Sequence, residues 1–85
     1  MHYRRLGNSG LHVSPVCLGT MMFGDRTAER EAGEIVAHAY ANGVNFVDTA
    51  DVYANGASET ITGAAIRAQR ARWILATKVG NAMPL

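Results

Sequence analysis

Three short apolar runs, Val16–Leu18, Val44–Thr49 and Trp73–Lys78, recur at intervals of about 30 residues, the length of one β-α-β unit. Between the first two, Ala28, Ala32, Ile35, Val36, Ala39 and Tyr40 repeat at helical spacing and give a single apolar face. Strands that alternate with helices predict a parallel sheet joined by right-handed crossovers. That constraint is severe, because a parallel sheet normally needs both of its faces covered.

The rest of the chain fills in around this frame. Tyr3–Leu6 and Leu11–Val13 flank the turn cluster Gly7-Asn8-Ser9-Gly10 and predict a β-hairpin. Val16–Leu18, ended by Gly19-Thr20, reads as a buried strand with Pro15 at its mouth. Thr27 is placed to cap the first helix, with Glu29 and Glu31 in the turn where the helix dipole favours acids. Asn42-Gly43 ends that helix. Ser58 with Glu59 opens a second, alanine-rich helix that runs to about Gln69. Asn81–Leu85 reads as a loop. The order is a hairpin followed by β-α-β-α-β, one unit over residues 1–85 with no internal domain boundary. Three parallel strands and two helices leave two sheet edges unpaired and one face partly uncovered. Self-association through those edges is therefore expected of the chain standing alone.

Composition excludes several classes of function. Of 85 residues, 48% are hydrophobic and 18% charged, which describes a globular piece and not a disordered tail. A net charge of +1 argues for neither a nucleic-acid nor a membrane partner. Arg67, Arg70 and Arg72 cluster where a helix end favours cations, so they read as a solvated last turn. The apolar run Trp73–Ala76 is far shorter than the ~20 residues of a membrane span. Nor does an apolar segment follow Met1–Leu6 as in a signal peptide. Cys17 is the single cysteine, and no Cys/His spacing suits zinc. A reduced, cytoplasmic setting is the expectation, with no metal.

Alternation decides which side chains share a sheet face. Asp48 falls with Phe46 and Val44, and Lys78 with Ala76 and Ile74, while Asn45, Val47, Thr49, Trp73, Leu75 and Thr77 take the opposite side. Asp48 and Lys78 end adjacent strands, so a carboxylate and an ammonium converge there, with Tyr53 in the loop just beyond. A phenol has an ordinary pKa of about 10 and needs help to exchange protons near neutrality. A neighbouring ammonium favours its ionised form. Such a triad suits carbonyl reduction.

These residues also resemble the motifs of the aldo-keto reductase family. Asp48-Thr49-Ala50-Asp51-Val52-Tyr53 is similar to the family's second-strand signature, and Ala76-Thr77-Lys78-Val79-Gly80 to the end of its third strand. Tyr3–Gly7 through Val16–Thr20 resembles its hairpin and first strand, and Asn55–Glu59 the start of its second helix. The likeness runs nearly end to end here, yet amounts to about a third of a ~250-residue barrel. It implies the N-terminal part of a (β/α)8 TIM barrel: the hairpin, strands one to three and helices one and two. It further implies NADPH-dependent reduction of aldehydes or ketones, with Tyr53 as general acid, Lys78 supplying positive charge and Asp48 holding Lys78. The partner is then a small-molecule carbonyl substrate. Gly19, Thr20, Met21 and Asp48 would edge the nicotinamide, and Met21-Met22-Phe23 could line the substrate cavity. The family's fourth-strand histidine has no counterpart, since His2 and His12 lie in the hairpin and His38 on a helix. Its segments that grip the adenosine phosphate follow the later strands, and no Gly-x-Gly-x-x-Gly fingerprint replaces them here. The resemblance therefore leaves three expectations: a reductase when the barrel is complete, an inactive barrel fragment when the chain stands alone, and a regulatory barrel that binds the cofactor without turnover.

Overall fold

The computed structural model describes residues 1–80; the loop expected at Asn81–Leu85 lies outside them. Strands β1 (Arg4–Arg5) and β2 (His12–Val13) form the antiparallel hairpin, with Arg4 opposite Val13 and Arg5 opposite His12. Then come β3 (Leu18–Gly19), α1 (Glu29–Ala41), β4 (Phe46–Asp48), α2 (Ala57–Ile66) and β5 (Ile74–Ala76). A short 3-10 turn, Tyr53–Gly56, leads into α2, and another, Arg67–Arg72, follows it. The parallel sheet has the order β3-β4-β5, as the alternation of strands and helices predicts.

Local chemistry accounts for most of the element ends. Helix α1 closes in a Schellman motif: the amide of Val44 donates to Ala39 O and that of Gly43 to Tyr40 O, both at 3.0 Å. Gly43 supplies the required left-handed turn at φ +94°. The helix begins one residue later than its sequence suggests. Ala28 occupies the cap position with no side-chain cap, and Thr27 is held in the preceding loop. There its amide donates to Met22 O and its carbonyl accepts from Gly24, so the backbone of that tight loop decides where the helix starts.

Two further expectations are corrected. The run Val16–Leu18 is not a buried strand: pairing covers Leu18–Gly19, while Val16 is 56% exposed and Cys17 is exposed. A strand with one neighbour and helix cover only over Leu18 cannot bury the residues before it. Ser58 stands second in α2, behind the Gly56 cap, and is fully buried there. That helix ends at Ile66, and the chain continues in a 3-10 turn kinked at Gln69. Arg67, Arg70 and Arg72 are exposed on it, Arg70 donating to Trp73 O at 3.0 Å.

The core lies between the helices and one sheet face. Val47 and Trp73 pack with Ala32, Val36, Ile66, Phe23 and Val44, and Leu18, Tyr40, Ile61 and Leu75 border them. The Tyr40 and Trp73 rings meet tilted at 5.8 Å, a favourable separation for aromatic pairs. The hairpin is tied to the N-terminal end of β4 through Asn45. Its Oδ1 accepts from Ser14 N at 2.7 Å, its Nδ2 donates to His12 O at 3.0 Å, and its carbonyl accepts from Ile74 N at 2.7 Å. That end of the sheet is thereby covered. The C-terminal end stays open, and there the chemically equipped residues gather.

Candidate active site

Asp48 is the last residue of β4 and sits opposite Ala76 on β5. Two residues beyond Ala76, Lys78 returns to the same face, as alternation requires. Its ammonium donates to both carboxylate oxygens of Asp48, at 2.8 and 2.9 Å, and to the carbonyl of Thr49 at 2.9 Å. The main chains are joined here too, through Thr49 N to Ala76 O at 2.8 Å and Asp51 N to Lys78 O at 3.1 Å. Hydrogen bonding from Asp48 holds the Lys78 ammonium above the ordinary lysine range, with a smaller contribution from the Tyr53 phenol, against an opposing effect of desolvation.

Tyr53 enters this group by its face. The ammonium lies 5.1 Å from the Tyr53 ring centroid, a cation–π distance. The sequence suggested an approach of phenol oxygen to ammonium, and the Tyr53 phenol does help to hold Lys78 protonated. In the turn that follows Tyr53, Ala54 and Asn55 both take left-handed backbone, at φ +51° and +53°. Two consecutive non-glycine residues in that region are uncommon.

A cleft of about 510 Å³ opens beside the triad, lined by Gly19, Thr20, Met21, Met22, Phe23, Thr27, Ile35, Asp48 and Tyr53. Gly19 faces open space, and Met21 is 56% exposed. Thr20 borders the cleft, but it is buried and its hydroxyl donates to Asp48 O at 3.0 Å. The Met21–Gly24 loop is docked on the Tyr53 turn and α2. A methyl group on Gly24 would lie 2.8 Å from the Ala57 Cβ and 3.4 Å from the Ala54 Cβ. Asp51 is half-buried, and its amide donates to Lys78 O. His2, His12 and His38 are exposed.

Two participants escaped sequence reasoning. Cys17 precedes β3 on the side that Gly19 shares with Asp48, and its thiol senses the site. Burial pushes the Cys17 thiol up, the Asp48 carboxylate adds to this, and Lys78 opposes it. Alternation from Gly19 could have revealed this placement. The second is Ser58, whose buried hydroxyl lies 3.2 Å from Thr49 Oγ1 and 2.7 Å from Thr20 O. Only the fold brings these residues together.

A second cleft, of about 430 Å³, lies beside the hairpin between Tyr3, Tyr40 and Arg72. Among the described residues no group of acidic, histidine or cysteine side chains is arranged to hold a metal. Likewise, no helix among them is long and apolar enough to cross a membrane.

The profile of the aldo/keto reductase family matches residues 15–85. The chain belongs to the aldo/keto reductase family. An uncharacterized oxidoreductase of Bacillus subtilis, YqkF, is 46% identical over 81 residues, covering 95% of this chain and 26% of that protein. Among solved structures, aldo-keto reductase AKR11C1 of Bacillus halodurans in its holo form superposes with a TM-score of 0.90 at 43% identity. This alignment covers 99% of the present chain and 28% of AKR11C1. An aldo-keto reductase from Klebsiella pneumoniae, solved in complex with NADPH, gives a TM-score of 0.68 at 36% identity, over 80% of this chain and 24% of that one. The chain thus spans about a quarter of the length of the relatives it matches. The fold is the N-terminal part of a (β/α)8 barrel, and the triad stands at the end of the strands where such barrels carry their active sites.

Proposed function

We propose that this segment supplies the proton-transfer group of an NADPH-dependent reductase that converts aldehydes or ketones to alcohols once the barrel is complete. The observation that carries the reading is the pairing of Lys78 with both Asp48 oxygens directly beneath the Tyr53 ring, at the edge of an open cleft. Tyr53 is the group that would give its proton to the carbonyl oxygen. Lys78 places a fixed positive charge against the phenol as negative charge develops on it, and Asp48 holds Lys78 in position.

The nicotinamide cofactor, when bound, supplies the hydride. The residues at the cleft fit its nicotinamide end. Gly19 leaves room for a flat ring to approach the backbone, since a Cβ there would touch nothing within 4 Å. An ionised carboxylate offers about four acceptor positions. Lys78 engages each Asp48 oxygen once, so capacity remains for an amide or hydroxyl donor. Thr20 and Met21 border the same space. In the full-length protein, Tyr53→Phe is expected to lower turnover by ~10²–10⁴-fold with cofactor affinity little changed. Carbonyl-dependent oxidation of NADPH measures this. An unimpaired variant would leave the mechanism without its acid.

A second reading concerns the chain by itself, and the outer edges of β3 and β5 favour it, since the sheet order leaves both unpaired. Alone, the chain would be inactive and would associate with copies of itself or with a partner through those edges. An intact mass, followed by an activity assay and sedimentation of the mass-verified 85-residue chain, tests it. Steady carbonyl reduction, or a single monomeric species with sharp reversible unfolding, would refute it.

A further inference from the structure

Lys78 is held by Asp48 and Thr49, and these two neighbours are themselves clamped from below. The Asp48 carbonyl accepts from the amide and hydroxyl of Thr20, at 3.2 and 3.0 Å. On Thr49, the amide is fixed to Ala76 and the side chain to Ser58, the hydroxyl oxygens being 3.2 Å apart. Ser58 reaches Thr20 O at 2.7 Å and Thr20 Oγ1 at 3.0 Å. The three hydroxyls are all but excluded from solvent, with Ser58 at 0%, Thr20 at 1% and Thr49 at 2% exposure. One assignment of protons satisfies all of them: Thr49 donates to Ser58, Ser58 to the Thr20 carbonyl, and Thr20 to the Asp48 carbonyl. Each hydroxyl then donates once, and no buried hydroxyl of the cluster is left unpaired.

We propose that Ser58 is a positioning residue for the Asp48–Lys78 pair, its hydroxyl locking the ends of β3 and β4 onto the start of α2. This rests on the reductase reading above. The chain of contact is short. Ser58 fixes the Thr49 side chain, Thr49 presents its carbonyl to Lys78, and Lys78 lies against the Tyr53 ring. Ser58→Ala removes the one hydroxyl that both accepts from Thr49 and donates to Thr20 O, leaving the buried Thr49 hydroxyl without a partner while the Thr20 carbonyl keeps the Phe23 amide. The Thr49 carbonyl is then free to shift, and Lys78 loses a fixed acceptor.

The test uses full-length protein and two variants that cut the same link from opposite ends, Ser58→Ala and the near-isosteric Thr49→Val. Each is expected to lower kcat by about ten- to a hundredfold, the scale of an ångström-sized misplacement, with KM for the carbonyl substrate little changed. The double variant should lose little more than either single one. A hydroxyl-keeping Ser58→Thr variant should recover much of the rate. Independently of turnover, acylation of Lys78 by an amine-directed reagent, followed by mass spectrometry, should rise severalfold in both single variants. Loss of thermal stability with unchanged kcat and unchanged Lys78 labelling would overturn the proposal and leave Ser58 a structural residue. If Ser58→Ala does not fold, Thr49→Val decides. Wild-type protein that reduces no carbonyl would end the reductase reading instead, and the labelling result would then settle the positioning role alone.

Discussion

Two glycine-to-alanine substitutions of equal chemistry are expected to have opposite signs, and the difference can be worked from the backbone. Gly24 sits at φ +86°, where an L side chain is strained by roughly 1–2 kcal/mol. Its new methyl would stand 2.8 Å from the Ala57 Cβ and 3.3 Å from Ile61 Cδ1, against a carbon–carbon optimum of 3.5–4.0 Å. Ile61 can turn away, but Ala57 is a helix residue with no rotamer to change. Overpacking of that kind costs ~1–3 kcal/mol. The sum for Gly24→Ala is a loss of about 2–5 kcal/mol. Gly33 lies inside α1 with nothing within 4 Å of an added Cβ and without a positive φ. Alanine there stabilises a helix by roughly 0.5–1 kcal/mol, through the restricted unfolded chain. Urea unfolding of the full-length protein, read by circular dichroism, compares both variants with wild type. Because Gly24 lets the Met21–Gly24 loop dock on the Tyr53 turn, Gly24→Ala should also reduce turnover, whereas Gly33→Ala should not. A Gly24→Ala protein within about 0.5 kcal/mol of wild type, inside the range of an ordinary surface change, would refute the packing argument.

Other outcomes follow from single contacts. The Lys78 ammonium is favoured in the folded protein, so its stabilisation is fully present below its ordinary value of 10.5 and is lost as pH rises through the raised folded value. Asp48→Asn should flatten that alkaline decline, as stability measured against pH in the alkaline range will show. The Thr62 hydroxyl is buried on α2 without a hydrogen-bond partner. Thr62→Val should therefore be neutral or stabilise by up to ~1 kcal/mol, and a clear loss in thermal unfolding would contradict the orphaned hydroxyl. Val47→Ala, at a fully buried position between sheet and helices, should destabilise by ~1–3 kcal/mol without changing KM.

Much of this architecture is legible in the chain because it depends on short-range rules. Period-2 and period-3.6 patterns identify the strands and α1, and Asn42-Gly43 marks a helix end by the conformational freedom of glycine. The spacing between Asp48 and Lys78 brings their side chains to one face, since a crossover of that length makes their strands neighbours. Where the reading failed, local preference competed with something further along the chain. Thr27 has good capping chemistry, but its backbone closes the loop with Met22 and Gly24, so Ala28 takes the cap. Val16-Cys17 is apolar enough to be buried, yet burial needs neighbours on both sides, and the described sheet provides one.

The sequence by itself determined the β-α-β-α-β order, the convergence of Asp48 and Lys78, and the nearness of Tyr53, all consequences of periodicity and spacing. Only the tertiary structure decided how those groups meet. The Tyr53 ring stands with its centroid 5.1 Å from the Lys78 ammonium. Burial makes Ser58, near the start of α2, a bridge between Thr20 and Thr49. The physical reason is the same in both cases. The groups that meet lie 9 to 38 positions apart in the chain, and no local pattern encodes contacts at that range.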